Sequence, residues 1–362
     1  MKKKIQSQSR LLILIAGLFI FGGCNGLSDR ITDAVTGATQ FAGMDGNSMY
    51  HQSDAVSLDR GSIEVLGEVK EPGNVRFRRQ IKREVFIREA RLVDGQQAFT
   101  GSYRYRGYSL FDLLHPFEYD KKNIEEFRPG TDLYIVVEND LGETVVFSWS
   151  EIFHTSQPHQ AIIAIEMAPI EPYKAEVNYP TAEVWKLVSA ADLYAERQLS
   201  NPVRITVHSF DEKTYPINRD LDPLFSPSLL VEMAGTPVAE IIEEDATHIR
   251  HRAYNTVFFG MGMGYHNNPV FSGPYLHELI EGHIDLADPD LLRNGLVCFA
   301  AIDGYRAMFS FSQLFNRIDQ SPPILAIPDD PGDGGYFRIF LPDAFYADYS
   351  VKSVSDMYIF RN

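Results

Sequence analysis

The chain has 362 residues and carries 33 Lys and Arg against 49 Asp and Glu, a formal net charge of −16. Such an acidic balance argues against a nucleic-acid-binding protein, which needs a basic surface. The length allows two domains of ordinary size. The two cysteines, Cys24 and Cys298, are too few for a cysteine-based zinc or iron–sulfur centre.

The beginning of the chain has the pattern of a secretion signal. A basic start and an apolar run over residues 11–21 precede two glycines and Cys24. The segment Phe21-Gly22-Gly23-Cys24 resembles the lipobox of bacterial lipoproteins, although Phe21 stands where that pattern prefers Leu. The resemblance implies a lipoprotein signal peptide over residues 1–23, a lipid on Cys24 and a membrane-anchored protein of the bacterial cell envelope, facing the periplasm or the cell exterior. An uncleaved transmembrane anchor is the alternative, but the apolar run is short for one.

Residues 24–58 are predicted to form a flexible tether between the membrane and a folded body. They are rich in Ser, Gly, Asp, Asn and Thr, and they show no sustained hydrophobic period. Asn25 stands where an Asp would mark retention in the inner membrane of some bacteria, which favours the outer membrane. The folded body is expected to begin near residue 59.

The body contains an internal repeat. Residues 132–153 align without gaps with residues 294–315. Each copy predicts a strand, a glycine turn, a second strand and a short helix, with Ser150 or Ser312 as the expected helix cap.

Three further pairs of segments repeat in the same order. Residues 106–114 are similar to 272–280, residues 161–165 align with 323–327, and residues 185–207 align with 337–359. The repeat predicts two homologous domains, residues 59–210 and 211–362. Because each mixes short strands with short helices, the expected class is α+β with substantial β structure.

The order of these blocks resembles the molybdopterin-binding domain of the sulfite oxidase family. Residues 107–114 match its Gly–helix block, residues 164–167 match its Ala-x-Glu-Met block, and Asp303-Gly304-Tyr305 match its hairpin turn. Residues 351–359 match its closing strand. The resemblance implies two tandem copies of a mixed, strand-rich sulfite-oxidase-like fold.

One departure from the family bears on function. Enzymes of that family hold molybdenum through a cysteine in the loop before the Gly–helix block, and the corresponding residues 88–95 and 260–266 contain none. Cys298 lies in the apolar run 296–300, which predicts a buried strand and an unreactive thiol. We therefore expect no molybdenum, no resident cofactor and no sulfite oxidase reaction, and the sequence favours a non-catalytic protein.

Soft metal ligands cluster in the Gly-rich segment 260–266. Met261, Met263 and His266 offer thioether and imidazole groups, which suit copper in a protein outside the cytoplasm. The alternative is that the two methionines share one strand face and pack in a core, while the glycines form a tight hairpin.

Basic residues are concentrated between residues 76 and 106. Arg88 and Arg91 fall in the segment that aligns with the cofactor loop of the family, so a pterin phosphate held by guanidinium groups is one interpretation. A solvated face of a strand is the other. We find no nucleophilic triad and no phosphate-binding Gly-rich loop with its lysine in the sequence.

These features favour a lipid-anchored extracytoplasmic binding or assembly protein with an unidentified envelope protein as partner. The first alternative is a pterin- or copper-dependent oxidoreductase or electron-transfer accessory. The second is an envelope polysaccharide-export component, because residues 65–73 resemble the opening of the soluble-ligand-binding β-grasp domains of export proteins. The Ala-Gly-Gly helix end of those domains is missing.

Overall fold

A computed structural model describes residues 44–45, 50–52, 54–78, 80–172, 174–329 and 335–362. Cys24, the signal peptide and most of the predicted tether lie outside the described residues. The chain divides into two compact units. The smaller unit, residues 1–53 and 171–177, contains the antiparallel pair β1 (Met44–Asp45) and β2 (Tyr50–Gln52). The larger unit, residues 54–170 and 178–362, contains the two five-stranded sheets described below.

We call residues 59–210 the first half and residues 211–362 the second half. The strands up to residue 210 are β3 (Val56–Ser57), β4 (Glu64–Gly67), β5 (Gly73–Asn74), β6 (Arg83–Val93), β7 (Gln96–Ser109), β8 (Leu133–Asn139), β9 (Thr144–Ser148), β10 (Ala161–Pro172), β11 (Lys186–Ser189), β12 (Leu199–Ser200) and β13 (Pro202–Ser209). The strands of the second half are β14 (Ser228–Met233), β15 (Thr236–Ile242), β16 (Arg252–Asn255), β17 (Phe258–Gly260), β18 (Gly264–Asn267), β19 (Val270–Gly273), β20 (Gly295–Ala301), β21 (Arg306–Ser310), β22 (Ile324–Ala326), β23 (Arg338–Phe340) and β24 (Val354–Arg361).

The helices are short and connect the strands. They are α1 (Leu110–Leu114), α2 (Trp149–Phe153), α3 (Glu243–Thr247), α4 (Leu276–Ile280), α5 (Pro289–Asn294) and α6 (Phe311–Phe315). Three-residue 3-10 helices lie at Gly130–Asp132, Ala195–Arg197 and Ala347–Tyr349. This strand-rich, mixed-sheet architecture is that of the predicted α+β class.

Two five-stranded sheets have the same strand order and polarity. The order is β5-β4-β13-β8-β9 in the first half and β15-β14-β24-β20-β21 in the second. In each sheet the first strand of the half runs parallel to its last long strand, as β4 does to β13 and β14 to β24. A hairpin forms the opposite edge, β8–β9 in one sheet and β20–β21 in the other.

The two hairpins also share their register. Ile135 is paired with Phe147 in the first hairpin, and Val297 is paired with Phe309 in the second. These are the partners that the gap-free alignment of the two segments makes equivalent. Both turns contain a glycine with a positive φ, 81° at Gly142 and 83° at Gly304, a conformation that glycine adopts without the strain a Cβ would add.

The helix after each hairpin begins earlier than the sequence predicted. Ser148 and Ser310 are the N-caps, and each hydroxyl accepts a hydrogen bond from the backbone N–H three residues later. The expectation that Ser150 and Ser312 cap these helices is therefore wrong. Ser148 belongs to a reciprocal capping box with Glu151, which satisfies two backbone N–H groups at once.

A close approach of two backbones recurs in both halves. A Cβ on Gly107 would lie 1.9 Å from the carbonyl oxygen of Ile163, and one on Gly273 would lie 2.1 Å from that of Leu325. Only glycine fits at such distances. The strand that leads into the Gly–helix block therefore packs closely against its neighbour in both halves, β7 against β10 and β19 against β22.

Each half has its own apolar core, and a third apolar cluster lies between the two sheets. Tyr134 and Val136 face this cluster from β8, and Leu296 and Cys298 face it from β20. Cys298 is fully buried, as predicted, and burial raises the pKa of its thiol. No helix among the described residues is long and apolar enough to span a bilayer.

Candidate functional site

A cleft that we call the basic cleft opens in the second half, beside the β17–β18 hairpin. Its volume is about 440 Å³, within the range usual for small-molecule sites. The side chains that determine its chemistry are Arg219, Phe258, Tyr305, Arg338, Asp348 and Lys352. They come from five separate segments of the second half.

Positive charge converges in this cleft although the chain as a whole is acidic. Arg338 and Lys352 face each other across an isolated antiparallel bridge, and like charges in that arrangement repel. Arg219 is the third basic group, and its guanidinium lies 3.5 Å from the Asp303 carboxylate. An anion bound among these three cations would offset their repulsion.

Aromatic rings hold two of the guanidinium groups. Arg338 lies 5.6 Å from the ring centroid of Phe258 and 5.4 Å from that of Phe271. Arg219 lies 5.6 Å from the ring centroid of Tyr305. Cation–π contacts restrict a guanidinium group while its in-plane N–H donors can still bind an oxyanion.

The floor of the cleft is fixed by two hydrogen bonds to Asp348, one to its side chain and one to its backbone. Its Oδ2 accepts a hydrogen bond of 2.7 Å from the Met261 N–H at the tip of the hairpin. Its carbonyl oxygen accepts one of 2.9 Å from the Tyr305 hydroxyl. Burial raises the pKa of Tyr305, so this hydroxyl remains a donor at physiological pH. The hairpin tip and the floor are therefore held to the same short helix.

The predicted copper ligands lie at the rim of this cleft. Met263 and His266 line it, whereas Met261 takes part through its backbone. The exposed fraction is 40% for Met261 and 84% for Met263, so the alternative that both methionines pack in a core is wrong. Among the described residues, no three His, Cys, Asp or Glu side chains converge as metal ligands.

The predicted phosphate ligands Arg88 and Arg91 lie elsewhere. Arg88 is exposed on β6, and Arg91 is 3.9 Å from Glu196 with 42% of its side chain exposed. Neither residue lines the basic cleft. Sequence reasoning missed Arg219, Arg338 and Lys352, because nothing in a linear pattern brings these distant positions together.

The corresponding place in the first half is filled by side chains. Lys186 aligns with Arg338, and its Nζ lies 3.2 Å from Glu89 and 3.3 Å from the Tyr105 hydroxyl. Tyr105 also donates a hydrogen bond to Glu89. An internal carboxylate thus pairs with the cation of the first half, whereas the aligned Arg338 lines the basic cleft.

The contact between hairpin tip and short helix is the same in both halves. Glu196 aligns with Asp348, and it accepts a hydrogen bond of 2.8 Å from the Leu92 N–H. Asp348 accepts the equivalent bond from Met261. The halves therefore differ in whether the space behind this contact is filled. In the first half β6 and β7 form one long ladder with a bulge between Glu89 and Ala90, whereas the second half has two separate pairs, β16–β19 and β17–β18.

A cluster of Ser109, His159 and Asp112 in the first half invites comparison with a catalytic triad. The same ring nitrogen, His159 Nδ1, lies 3.0 Å from Ser109 Oγ and 3.8 Å from Asp112 Oδ2. A triad needs the serine and the carboxylate on opposite ring nitrogens. Ser109 is fully buried and caps α1, so this cluster has a structural role.

The residues do not fit the metal of a sulfite-oxidase-type cofactor. Such a metal requires a thiolate at the cofactor loop, and Cys298 is instead enclosed in the cluster between the two sheets. Burial raises the pKa of this thiol, and Cys298 is not among the residues that line the basic cleft beside β17–β18. No protein-family model and no curated protein matches the chain.

Proposed function

We propose that this protein is a lipid-anchored binding protein of the bacterial envelope, built from two sulfite-oxidase-like copies, whose second copy binds a small organic anion. The lipobox-like segment before Cys24 supports the anchor. The common strand order and register of the two sheets support a duplication. The single observation that carries the ligand class is the convergence of Arg219, Arg338 and Lys352 in one cleft.

Binding is favoured over catalysis by the chemistry of the lining. Two guanidinium groups held by aromatic rings, with an ammonium group beside them, are suited to bind and orient an oxyanion. Tyr305, whose pKa is raised, is likewise a fixed donor. The first copy, with Lys186 already paired to Glu89, would support the second copy or contact an envelope protein partner.

A phosphate-bearing pterin is the first ligand to test, because the family resemblance implies one. In our proposal the basic cleft takes the role that the sequence suggested for Arg88 and Arg91. Copper is the second candidate, since Met263 and His266 line the same cleft. The polysaccharide-export interpretation stays a prediction.

The proposal is tested by calorimetric titration of the full-length protein with a pterin phosphate and with inorganic phosphate. We expect Lys352→Ala and Arg338→Ala each to weaken binding about tenfold or more, the loss typical of one charge-assisted hydrogen bond. Arg88→Ala is the matched control and should bind as the wild type does. Absence of binding by both probes, or an equal loss with Arg88→Ala, would contradict the proposal.

A parallel titration with copper(I) uses Met263→Leu and His266→Ala. Loss of copper binding in both variants would favour the second candidate, and unchanged or absent copper binding would remove it.

A further inference from the structure

The β17–β18 hairpin presents an apolar outer face to solvent. The exposed fraction is 66% for Val257, 84% for Met263 and 59% for Tyr265. Phe259 is paired with Tyr265 across the hairpin, and its ring centroid lies 5.8 Å from that of Phe345, which is itself half exposed. Large apolar side chains gathered in this way on a protein surface usually mark a site of interaction.

The sequence around this hairpin carries no formal charge. Residues 253–277 contain no Asp, Glu, Lys or Arg, although such residues make up 23% of the chain. The tip of the corresponding hairpin in the first half, residues 93–97, is instead Val-Asp-Gly-Gln-Gln. Both tips make the same contact with their short helices. The fold therefore does not require an apolar tip, and the tip of the second half has another role.

The inner face of the same hairpin lines the basic cleft. Phe258 and His266 belong to the cleft lining, whereas Phe259 and Tyr265 do not, because successive side chains of a strand point to opposite faces. Met263, at the tip, lines the cleft and is also exposed. One short hairpin thus separates a charged cleft from an apolar surface, and Met263 belongs to both.

The basic cleft retains positive charge after its carboxylates are counted. Its lining contains Arg219, Arg338 and Lys352 together with Asp303 and Asp348. Asp303 lies 3.5 Å from Arg219, and Asp348 accepts a hydrogen bond from a backbone N–H of the hairpin. The remaining excess of cations favours an anion, and guanidinium groups are well suited to phosphate oxygens.

An anionic phospholipid combines the two chemistries in one molecule, since its phosphate is joined through glycerol to acyl chains. The three residues of β17 span about 10 Å, comparable to the depth of about 5–10 Å at which interfacial helices bury their apolar face. We infer that the basic cleft binds the phosphate of an anionic membrane phospholipid while the outer face and tip of the hairpin contact its acyl chains. The inference rests on the anion site proposed above, and the lipid predicted on Cys24 would keep this surface near a bilayer.

The inference is tested by calorimetric titration of the full-length protein with dihexanoyl phosphatidate below its micelle concentration. Glycerol 3-phosphate carries the same phosphate without chains, and dihexanoyl phosphatidylcholine carries the same chains on a zwitterionic headgroup. We expect phosphatidate to bind about tenfold or more tightly than either, because only phosphatidate engages both the cleft and the hairpin.

The double variant Val257→Ser and Tyr265→Ser should weaken phosphatidate binding about tenfold and leave glycerol 3-phosphate binding unchanged, because neither side chain lines the cleft. The matched control is the double variant Val93→Ser and Phe99→Ser, which removes a valine and an aromatic ring of similar exposure from the β6–β7 hairpin. It should bind phosphatidate as the wild type does. Arg338→Ala should weaken both phosphate ligands.

Glycerol 3-phosphate that binds as tightly as phosphatidate would overturn the inference and leave the anion site standing, with the hairpin then assigned to a protein partner or a second copy of the chain. Phosphatidylcholine that binds as tightly as phosphatidate, or an equal loss in the control variant, would also overturn it. No binding of any of the three probes would overturn the inference and the anion site together.

Discussion

His154 contacts the second half from the end of α2, where its Nδ1 is 2.7 Å from the Tyr349 hydroxyl. Burial lowers the pKa of His154 to about 4, and the nearby Asp348 carboxylate opposes that shift only in part. The ring is therefore neutral in the folded protein under ordinary conditions. Protonation would place a charge among Tyr346 and Tyr349.

We expect the free energy of unfolding to fall as the pH drops from about 6.5 toward 4. Over that window the unfolded chain takes up a proton that folded His154 does not accept. One such histidine contributes a slope of up to about 1.4 kcal/mol per pH unit. Burial also lowers the pKa of His159 and His208, which add to the slope with the same sign.

Urea denaturation of the wild type and of His154→Gln at several pH values measures this effect. The variant should lose stability at neutral pH, where the Tyr349 contact is broken, and should show a shallower slope between pH 6.5 and 4. Identical slopes for the two proteins would show that His154 is not the titrating group.

Individual residues were predictable where one physical rule dominates. The apolar neighbours of Cys298 were enough to predict its burial on β20. The exposure of Met261 and Met263 could not be predicted, because the same alternation of residues suits a core strand or an exposed hairpin. Only the fold places Met263 at the tip of the β17–β18 hairpin. The serine caps were misplaced by two residues, although Ser148 and Glu151 have the spacing of a capping box.

At the scale of elements, the two Gly–helix blocks depend on a backbone contact that leaves no room for a Cβ. The order of strands and helices could be predicted because it occurs twice in the sequence. The interruption of strand pairing between β16–β19 and β17–β18 could not be predicted, because it depends on which side chains fill the space beneath the hairpin.

Gly107→Ala and Gly273→Ala should each destabilise the protein by about 2–3 kcal/mol or more, the range for overpacked buried sites. The added Cβ would meet a carbonyl oxygen near 2 Å, at 1.9 Å and 2.1 Å respectively. Gly282→Ala is the control, because a Cβ added there would have no other atom within 4 Å. Thermal unfolding of all three variants measures the effect, and a stable Gly107→Ala would disprove the close approach.

For the whole molecule, sites arise from residues that only the tertiary structure brings together. Arg219, Tyr305 and Arg338 are far apart in the chain, and no sequence motif groups them with Lys352. The fold class could be predicted from the internal sequence similarity, whereas the basic cleft depends on how the two halves differ.

Cys24→Ser should release the protein from membranes or block its maturation, because the lipid would have no sulfur to which it could attach. Membrane fractionation and the intact mass of the mature protein measure this. Cys298→Ser leaves the signal intact and is the control for loss of a thiol. Unchanged fractionation and an unchanged mature mass for Cys24→Ser would contradict lipidation.

The apolar cluster between the sheets sets an order of events during synthesis. The first half, with Tyr134 and Val136 on its outer face, leaves the ribosome well before the strands that cover it. β24 lies in the middle of the second sheet and is made from residues 354–361, so that sheet cannot form earlier. Between the synthesis of residue 209, which completes the first sheet, and that of residue 361, the nascent protein therefore has an apolar sheet face uncovered. Such a face would favour binding by a holding chaperone until the second sheet forms.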